Sequence, residues 1–207
     1  MSGGRILVVC ALHEELRGWS RPPSVDAVAT GIGPVEAACA TAVALAGAEY
    51  GAVVNAGLAG AFRHSALRIG DAVLVAEECL AGIGLEDGSE IILPRGARLV
   101  ERTAANADML ARVQGLAFPL ASGLTVTTVT GTEATAERLA RRYGADVETM
   151  EGFAVLRACE RAGVPAVQIR GVSNYVGPRS QSGWDFAAGS RACVSAIEAV
   201  LSSLGMS

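Results

Sequence analysis

The sequence predicts an α/β protein, a three-layer α/β/α sandwich around a central, mostly parallel or mixed sheet. Three observations carry this. Apolar runs of strand length alternate with longer helical runs along the whole chain. Hydrophobic residues make up 51 % of the 207 residues and aromatic residues only 4 %, and the many Ala, Val, Leu and Gly suit tight helix-on-sheet packing. Polar residues fall where the apolar runs end, which is where open α/β sheets bind ligands. A chain of this length fits one domain, residues 1–207, and buries about 70 % of the surface its unfolded form exposes.

Arg5 to Ala11 reads as a continuous apolar strand that ends at Leu12-His13-Glu14-Glu15-Leu16, with an amphipathic turn to Trp19. A glutamate at that spot is either a solvated helix-start charge or a catalytic acid at a strand's carboxyl end. Val25 to Thr30 is a second strand, after which Gly31-Ile32-Gly33-Pro34 opens an apolar helix, Val35 to Ala46. The glycines allow a tight turn and Pro34 suits a helix's first position. This turn lacks both the third glycine of a dinucleotide fingerprint and the lysine of a P-loop, so neither cofactor is expected.

Ala52 to Ala56 is a buried strand running into Gly57-Leu58-Ala59-Gly60-Ala61-Phe62. Those small residues form either a structural turn or a backbone that approaches a flat ligand closely. Gly70-Asp71-Ala72-Val73 leads a strand to Cys79, and Gly82 to Ser89 is a loop of glycines and acids. Ile91 to Leu93 reads as a short strand, and Pro94 to Gly115 as a surface excursion with one helix near Ala104 to Val113. Leu120 to Val129 alternates Thr with apolar residues, as a half-buried strand does, and closes on Thr130-Gly131-Thr132 before the helix Glu133 to Tyr143. Pro165 to Gly171 is an apolar strand carrying Arg170 at its end, followed by Ser173-Asn174-Tyr175, and Ala187 to Leu204 is a closing helix.

Asp146-Val147-Glu148-Thr149-Met150-Glu151-Gly152 places three carboxylates where a short strand hands over to a helix that glycine stops at Gly163. Glu151 falls in that helix's first turn, where a carboxylate either compensates the free N–H groups of the helix end or faces a ligand. Two hydrogen bonds side by side suit the vicinal diol of a ribose. Glu14 and Glu15, Thr130, Glu148 and Glu151, Arg170, Ser173 and Asn174 all stand at strand ends and so converge on one face.

The net charge of −4, with no cluster of Lys and Arg, gives no footprint for nucleic acid. No apolar run reaches the roughly 18 residues of a membrane span. Met1 to Val9 lacks a processing site of the secretory kind, so a cytoplasmic protein is expected. Five widely spaced cysteines with no C-x-x-C pair read as buried free thiols, and no metal site is expected.

Several of these motifs, in this order, resemble the nucleoside phosphorylase and nucleosidase superfamily over nearly the whole chain, and within it the futalosine hydrolases. The likeness rests on Gly31-Ile32-Gly33-Pro34, Asn55-Ala56-Gly57-Leu58-Ala59-Gly60, Gly70-Asp71, Thr130-Gly131-Thr132, Val147-Glu148-Thr149-Met150-Glu151-Gly152 and Arg170-Gly171-Val172-Ser173-Asn174-Tyr175-Val176. The methylthioadenosine nucleosidases carry an aspartate where Asn174 stands. The resemblance implies a purine nucleoside phosphorylase-like fold, a cofactor-free N-glycosidase, a purine nucleoside as substrate and a homo-oligomer, at least a dimer. Residue by residue, it implies that Glu15 activates the attacking water and that Arg170 stands beside it. Met150 and Glu151 lie under the ribose, Ala59, Gly60, Gly131 and Thr132 line the base pocket, and Ser173 with Asn174 meet the base edge. Glu148 matches no family position cleanly. Leu58 stands where relatives place a serine that helps hold phosphate or water, which weakens the case for a phosphorylase.

Cleavage of a purine N-glycosidic bond must serve two ends, a departing base and a sugar that gathers positive charge. A carboxylate at Glu15 polarises the water and sits near that charge, while Glu151 orients the anomeric carbon through the hydroxyls. Asparagine at 174 offers two N–H donors, which match N7 and O6 of hypoxanthine, whereas an aspartic acid would suit a 6-aminopurine. Arg179 and Trp184 stand near each other in sequence, and either serve as a solvated charge and a core anchor or pair with the benzoate of futalosine. The leading expectation is hydrolysis of futalosine to hypoxanthine and dehypoxanthine futalosine, a step of menaquinone biosynthesis. The alternative is a nucleosidase for aminofutalosine, methylthioadenosine or S-adenosylhomocysteine, or inosine. Glu15, Glu151 and Arg170 together argue against a non-catalytic nucleoside-binding protein.

Overall fold

The computed structural model describes residues 4–85, 87, 89 and 91–205; parts of the Met1 start and of the acid-and-glycine loop lie outside them. Eight strands form one mixed sheet: β1 (Ile6–Cys10), β2 (Val25–Ala29), β3 (Ala52–Ala61), β4 (Ala72–Leu80), β5 (Arg102–Ala104), β6 (Leu120–Thr125), β7 (Val147–Thr149) and β8 (Ala166–Tyr175). Five α-helices accompany them: α1 (Pro34–Gly47), α2 (Ala107–Val113), α3 (Glu133–Tyr143), α4 (Gly152–Ala162) and α5 (Phe186–Ser203). Fold class and most elements agree with the sequence reading.

The strands follow the order β2-β1-β3-β7-β6-β4-β5, with β8 bonded to both β3 and β4. The pairs β3·β8, β8·β4, β4·β6, β6·β7 and β7·β3 therefore close a circuit, and β1 and β2 extend from the first half of β3. Both faces of β1 are covered, which is why it is apolar throughout rather than alternating. Ile6, Val8 and Cys10 pack with Val54, Ile169 and the α5 residues Ile197 and Val200. Leu7 and Val9 pack on the other side with Val53, Ala37 of α1 and Val155 and Leu156 of α4.

The helix ends follow from local chemistry. Thr132 caps α3 by accepting from the Thr135 N–H at 3.2 Å, and the helix stops at Gly144, whose φ of 64° is left-handed. Asp185 caps α5 by accepting from Ala188 N–H at 2.8 Å. Asn106 caps α2, accepting from Met109 N–H at 3.0 Å, so this helix starts at Ala107 rather than near Ala104.

Five expectations need correction. Ile91 to Leu93 forms no strand, because the β4 edge is already taken by Arg102–Ala104, and Ile92 is left exposed. The small-residue run after Ala56 is not a turn but the second half of β3, held by β8 on one side and β7 on the other, with a bulge at Ala59/Gly60. Likewise β8 continues past Arg170 to Tyr175, and β6 stops at Thr125. Of the five cysteines, Cys10, Cys79, Cys159 and Cys193 are buried free thiols, but Cys39 on α1 is exposed.

Candidate active site

At the carboxyl end of β1 the chain turns through His13–Leu16 and bends the Glu15 carboxylate back over the strand ends. Its Oε2 accepts from the N–H groups of Ala11 and Leu12 at 3.0 and 3.1 Å, and its Oε1 accepts from Leu58 N–H at 3.2 Å. Three backbone donors thus fix one carboxylate. Gly57 is paired with Arg170 across β3 and β8. A Cβ at residue 57 would lie 2.5 Å from Arg170 Nη1 and 3.2 Å from both Glu15 oxygens, so the missing side chain leaves the space that both groups border.

Arg170 is 1 % exposed, and its Nε and Nη2 have no hydrogen-bond partner in the protein. Glu151 precedes α4 and is buried; its Oε1 accepts from Gly33 N–H at 2.7 Å. Gly33 has φ 97°, a conformation open to glycine and rare for other residues. The Gly31–Pro34 turn therefore anchors a carboxylate. Burial pushes the Glu151 carboxyl above the usual range, against the Arg170 charge and the Gly33 N–H, which pull it down.

Glu148 is a second acid of this wall. Thr130 donates to it twice, from N–H to Oε1 at 3.0 Å and from Oγ1 to Oε2, and burial raises its pKa. Beneath the junction lies a third acid, Glu78 of β4, fully buried and also pushed up by burial. Glu148 is legible in the sequence as one of the three carboxylates of residues 146–152, whereas Glu78 is hidden inside the pattern of β4.

These elements surround a cavity of about 320 Å³ lined by Glu15, Leu58, Ala59, Gly60, Glu148, Met150, Glu151, Ser173, Asn174 and, at its side, Leu12, Ile32, Trp184 and Phe186. Seven expected site residues line it together: Glu15, Ala59, Gly60, Met150, Glu151, Ser173 and Asn174. Arg170 flanks Gly57 together with Glu15 but is not on the cavity wall. Gly131 and Thr132 line a neighbouring groove that shares Val129 with the cavity, since Thr132 is engaged as the α3 cap. Arg179 is exposed, with its guanidinium 5.0 Å from the centre of the Trp184 ring.

The Asn174 amide has a defined orientation. Its Nδ2 donates to Tyr175 O at 3.1 Å and its Oδ1 accepts from Ser173 Oγ at 2.8 Å. The reversed amide would face two acceptors, its own oxygen and the Tyr175 carbonyl. One of the two N–H groups expected for a base is thus already used, and one remains. Gly60 lets it approach, for a Cβ there would lie 2.9 Å from Nδ2.

Among the described residues no helix is long and apolar enough to cross a membrane, and no group of three or more His, Cys, Asp or Glu could hold a metal ion. A larger groove of about 1010 Å³ between α1 and α4 is lined mainly by small apolar residues and holds none of the expected site residues.

Comparison with known proteins adds the relationship. The chain is 36 % identical over 181 residues to futalosine hydrolase of Streptomyces coelicolor, covering 84 % of this chain and 74 % of that one. It is 38 % identical over 161 residues to futalosine hydrolase of Thermus thermophilus, covering 75 % and 71 %. Its fold superposes on a 5′-methylthioadenosine/S-adenosylhomocysteine nucleosidase from Colwellia psychrerythraea in complex with adenine, with a TM-score of 0.82, 21 % identity and 99 % and 97 % of the two chains covered. Native futalosine hydrolase of Helicobacter pylori gives 0.80 at 15 % identity, with 97 % and 98 % covered. The Phosphorylase superfamily model matches residues 23–204, and with these relatives it establishes that the chain belongs to that superfamily.

Proposed function

We propose that this protein is a cofactor-free nucleosidase that hydrolyses futalosine to hypoxanthine and dehypoxanthine futalosine, as a step of menaquinone biosynthesis. The observation that carries the choice of base is Asn174 on the cavity wall, an amide with one N–H left unbonded where an acid would stand for a 6-aminopurine. A 6-oxopurine presents acceptors at both N7 and O6, so the remaining N–H has a partner in either. A 6-aminopurine offers that N–H only N7, and its amino group gains no acceptor from it.

In this reading Glu15 takes a proton from the attacking water and faces the charge growing on the sugar. Arg170 stands beside that carboxylate, its Nη1 and both Glu15 oxygens bordering the same face of Gly57. Glu151 holds the ribose hydroxyls with the oxygen lone pairs that Gly33 leaves free. At position 58 a leucine side chain supplies no hydroxyl for phosphate, which favours water as the nucleophile. The apolar groove between α1 and α4, beside the exposed Val35 and Val43, suits a homo-oligomer.

The test is release of hypoxanthine from futalosine and inosine, and of adenine from aminofutalosine and methylthioadenosine, with and without phosphate. Phosphate-independent turnover of futalosine above the others is expected; a phosphate requirement or a preference for methylthioadenosine would overturn the reading. Asn174→Asp is expected to shift the ratio of kcat/KM towards aminofutalosine and to move its optimum to lower pH. One oxygen of the new carboxyl would sit about 3 Å from the Tyr175 carbonyl, a contact that needs a proton. An unchanged ratio would mean that another group reads position 6.

A further inference from the structure

Glu78 has no place in the chemistry above, yet the fold is built around it. A Cβ at Gly123 would lie 2.3 Å from its Oε1 and one at Gly152 only 2.0 Å, so β6 and α4 both give up a side chain to admit this carboxyl group. Its Oε1 accepts from Gln168 Nε2 at 2.6 Å, and Gln168 in turn accepts from Asn55 Nδ2 at 2.8 Å. Oε1 also lies 3.1 Å from Thr149 Oγ1, Thr149 Oγ1 lies 3.1 Å from Thr125 Oγ1, and Thr125 Oγ1 lies 2.9 Å from Oε2. These three contacts close a ring. Each needs one proton, and the two hydroxyls supply two. With both hydroxyls donating to a charged carboxylate the contact between the two threonines would hold no proton; a proton on Glu78 supplies the third.

With that proton every member of the ring is satisfied. Each threonine oxygen has one proton to give and two lone pairs to fill. One lone pair is taken within the ring and the other by a helix N–H, Gly152 N–H on Thr149 at 3.3 Å and Phe153 N–H on Thr125 at 2.7 Å. Those are the first two N–H groups of α4, directly after Met150 and Glu151. We propose that Glu78 is a positioning residue of the active site: its carboxyl carries the third proton of the ring and, through the two threonine hydroxyls, fixes the helix start that presents Met150 and Glu151. The positioning part rests on the reading of Glu151 as the ribose-holding group.

Burial raises the pKa of Glu78, opposed first by the charge of Arg170 on β8 and then by Gln168, Thr125 and Thr149. Arg170 is the charged group acting on it among the described residues; β6 and β7 turn Thr125 and Thr149 towards it, and α4 turns Gly152. A folded-state pKa above the unfolded value gives stability that is complete below the unfolded pKa and is lost as pH rises through the folded one.

Glu78→Gln keeps a donor for Thr125 and an acceptor for Thr149 and Gln168 but cannot ionise. Its Tm relative to wild type should therefore climb as pH is raised from about 4.5, the ordinary glutamate value, to 8. A difference that falls with pH would mean that Glu78 is ionised in the fold and would overturn the ring. Positioning is read separately, by calorimetric binding of inosine and of 2′,3′-dideoxyinosine, which lacks the hydroxyls. Glu78→Leu should weaken inosine by about ten- to a hundredfold and leave the dideoxy analogue nearly unchanged, while Glu78→Gln retains wild-type binding of both. Equal losses on both nucleosides would overturn the positioning role. Failure of the wild type to bind either would count against the proposed function, and the thermal comparison would still decide the ring.

Discussion

Glu15→Gln is expected to lower kcat on the preferred nucleoside by at least about a hundredfold, the scale for losing a general base, with the fold retained. The carboxylate is anchored at both oxygens, to Ala11 and Leu12 on one side and Leu58 on the other. An amide can keep its oxygen on the Ala11 and Leu12 N–H groups, but its NH2 then faces the Leu58 N–H, donor against donor. The variant therefore loses proton acceptance and part of the anchoring together. Binding of hypoxanthine, which has no sugar for Glu15 to serve, should stay close to wild type and shows that the pocket is intact. Near-wild-type turnover would end the assignment of Glu15 and direct attention to Glu14, the other acid of the turn, which also borders the cavity.

The contrast between Glu15 and Glu78 shows what a sequence can reveal about such a site. Glu15 follows an apolar strand and precedes a turn, so its place at a strand end is legible from spacing. Met150 and Glu151 stand out in the same way, beside a residue that starts a helix. Helix α3 is legible to the residue because Thr132 and Gly144 are a side-chain cap and a left-handed stop, both local signals. Glu78 sits inside a strand between Glu77 and Cys79, and nothing local says that the next strand over supplies Thr125 and the one beyond it Thr149. The same holds for the circuit of β3, β8, β4, β6 and β7, since strand pairing between distant segments leaves no mark in the pattern of one segment. The second halves of β3 and β8 were hidden for a related reason. Gly57-Leu58-Ala59-Gly60 and Ser173-Asn174 have weak strand preference, and pairing with each other makes strands of them.

Gly57→Ala is expected to abolish most of the activity through a single methyl group. Gly57 and Arg170 are register partners on adjacent strands, and the added carbon would stand 2.5 Å from Nη1, well inside contact distance. Arg170 is 1 % exposed, so the guanidinium has little room to yield within the packed interior. Both Glu15 oxygens, 3.2 Å from the same carbon, are pushed as well. Overpacking of this kind costs about 1–3 kcal/mol of stability, and a displacement of about 1 Å at a catalytic group costs on the order of a hundredfold in rate. The expected result is a folded protein with a lowered Tm, a kcat/KM reduced about a hundredfold or more, and hypoxanthine binding largely kept, because Asn174 and Gly60 lie further along β8 and β3. Gly57→Ala with unchanged kcat/KM would show that the placement of Glu15 and Arg170 around this glycine is not part of the catalytic machinery.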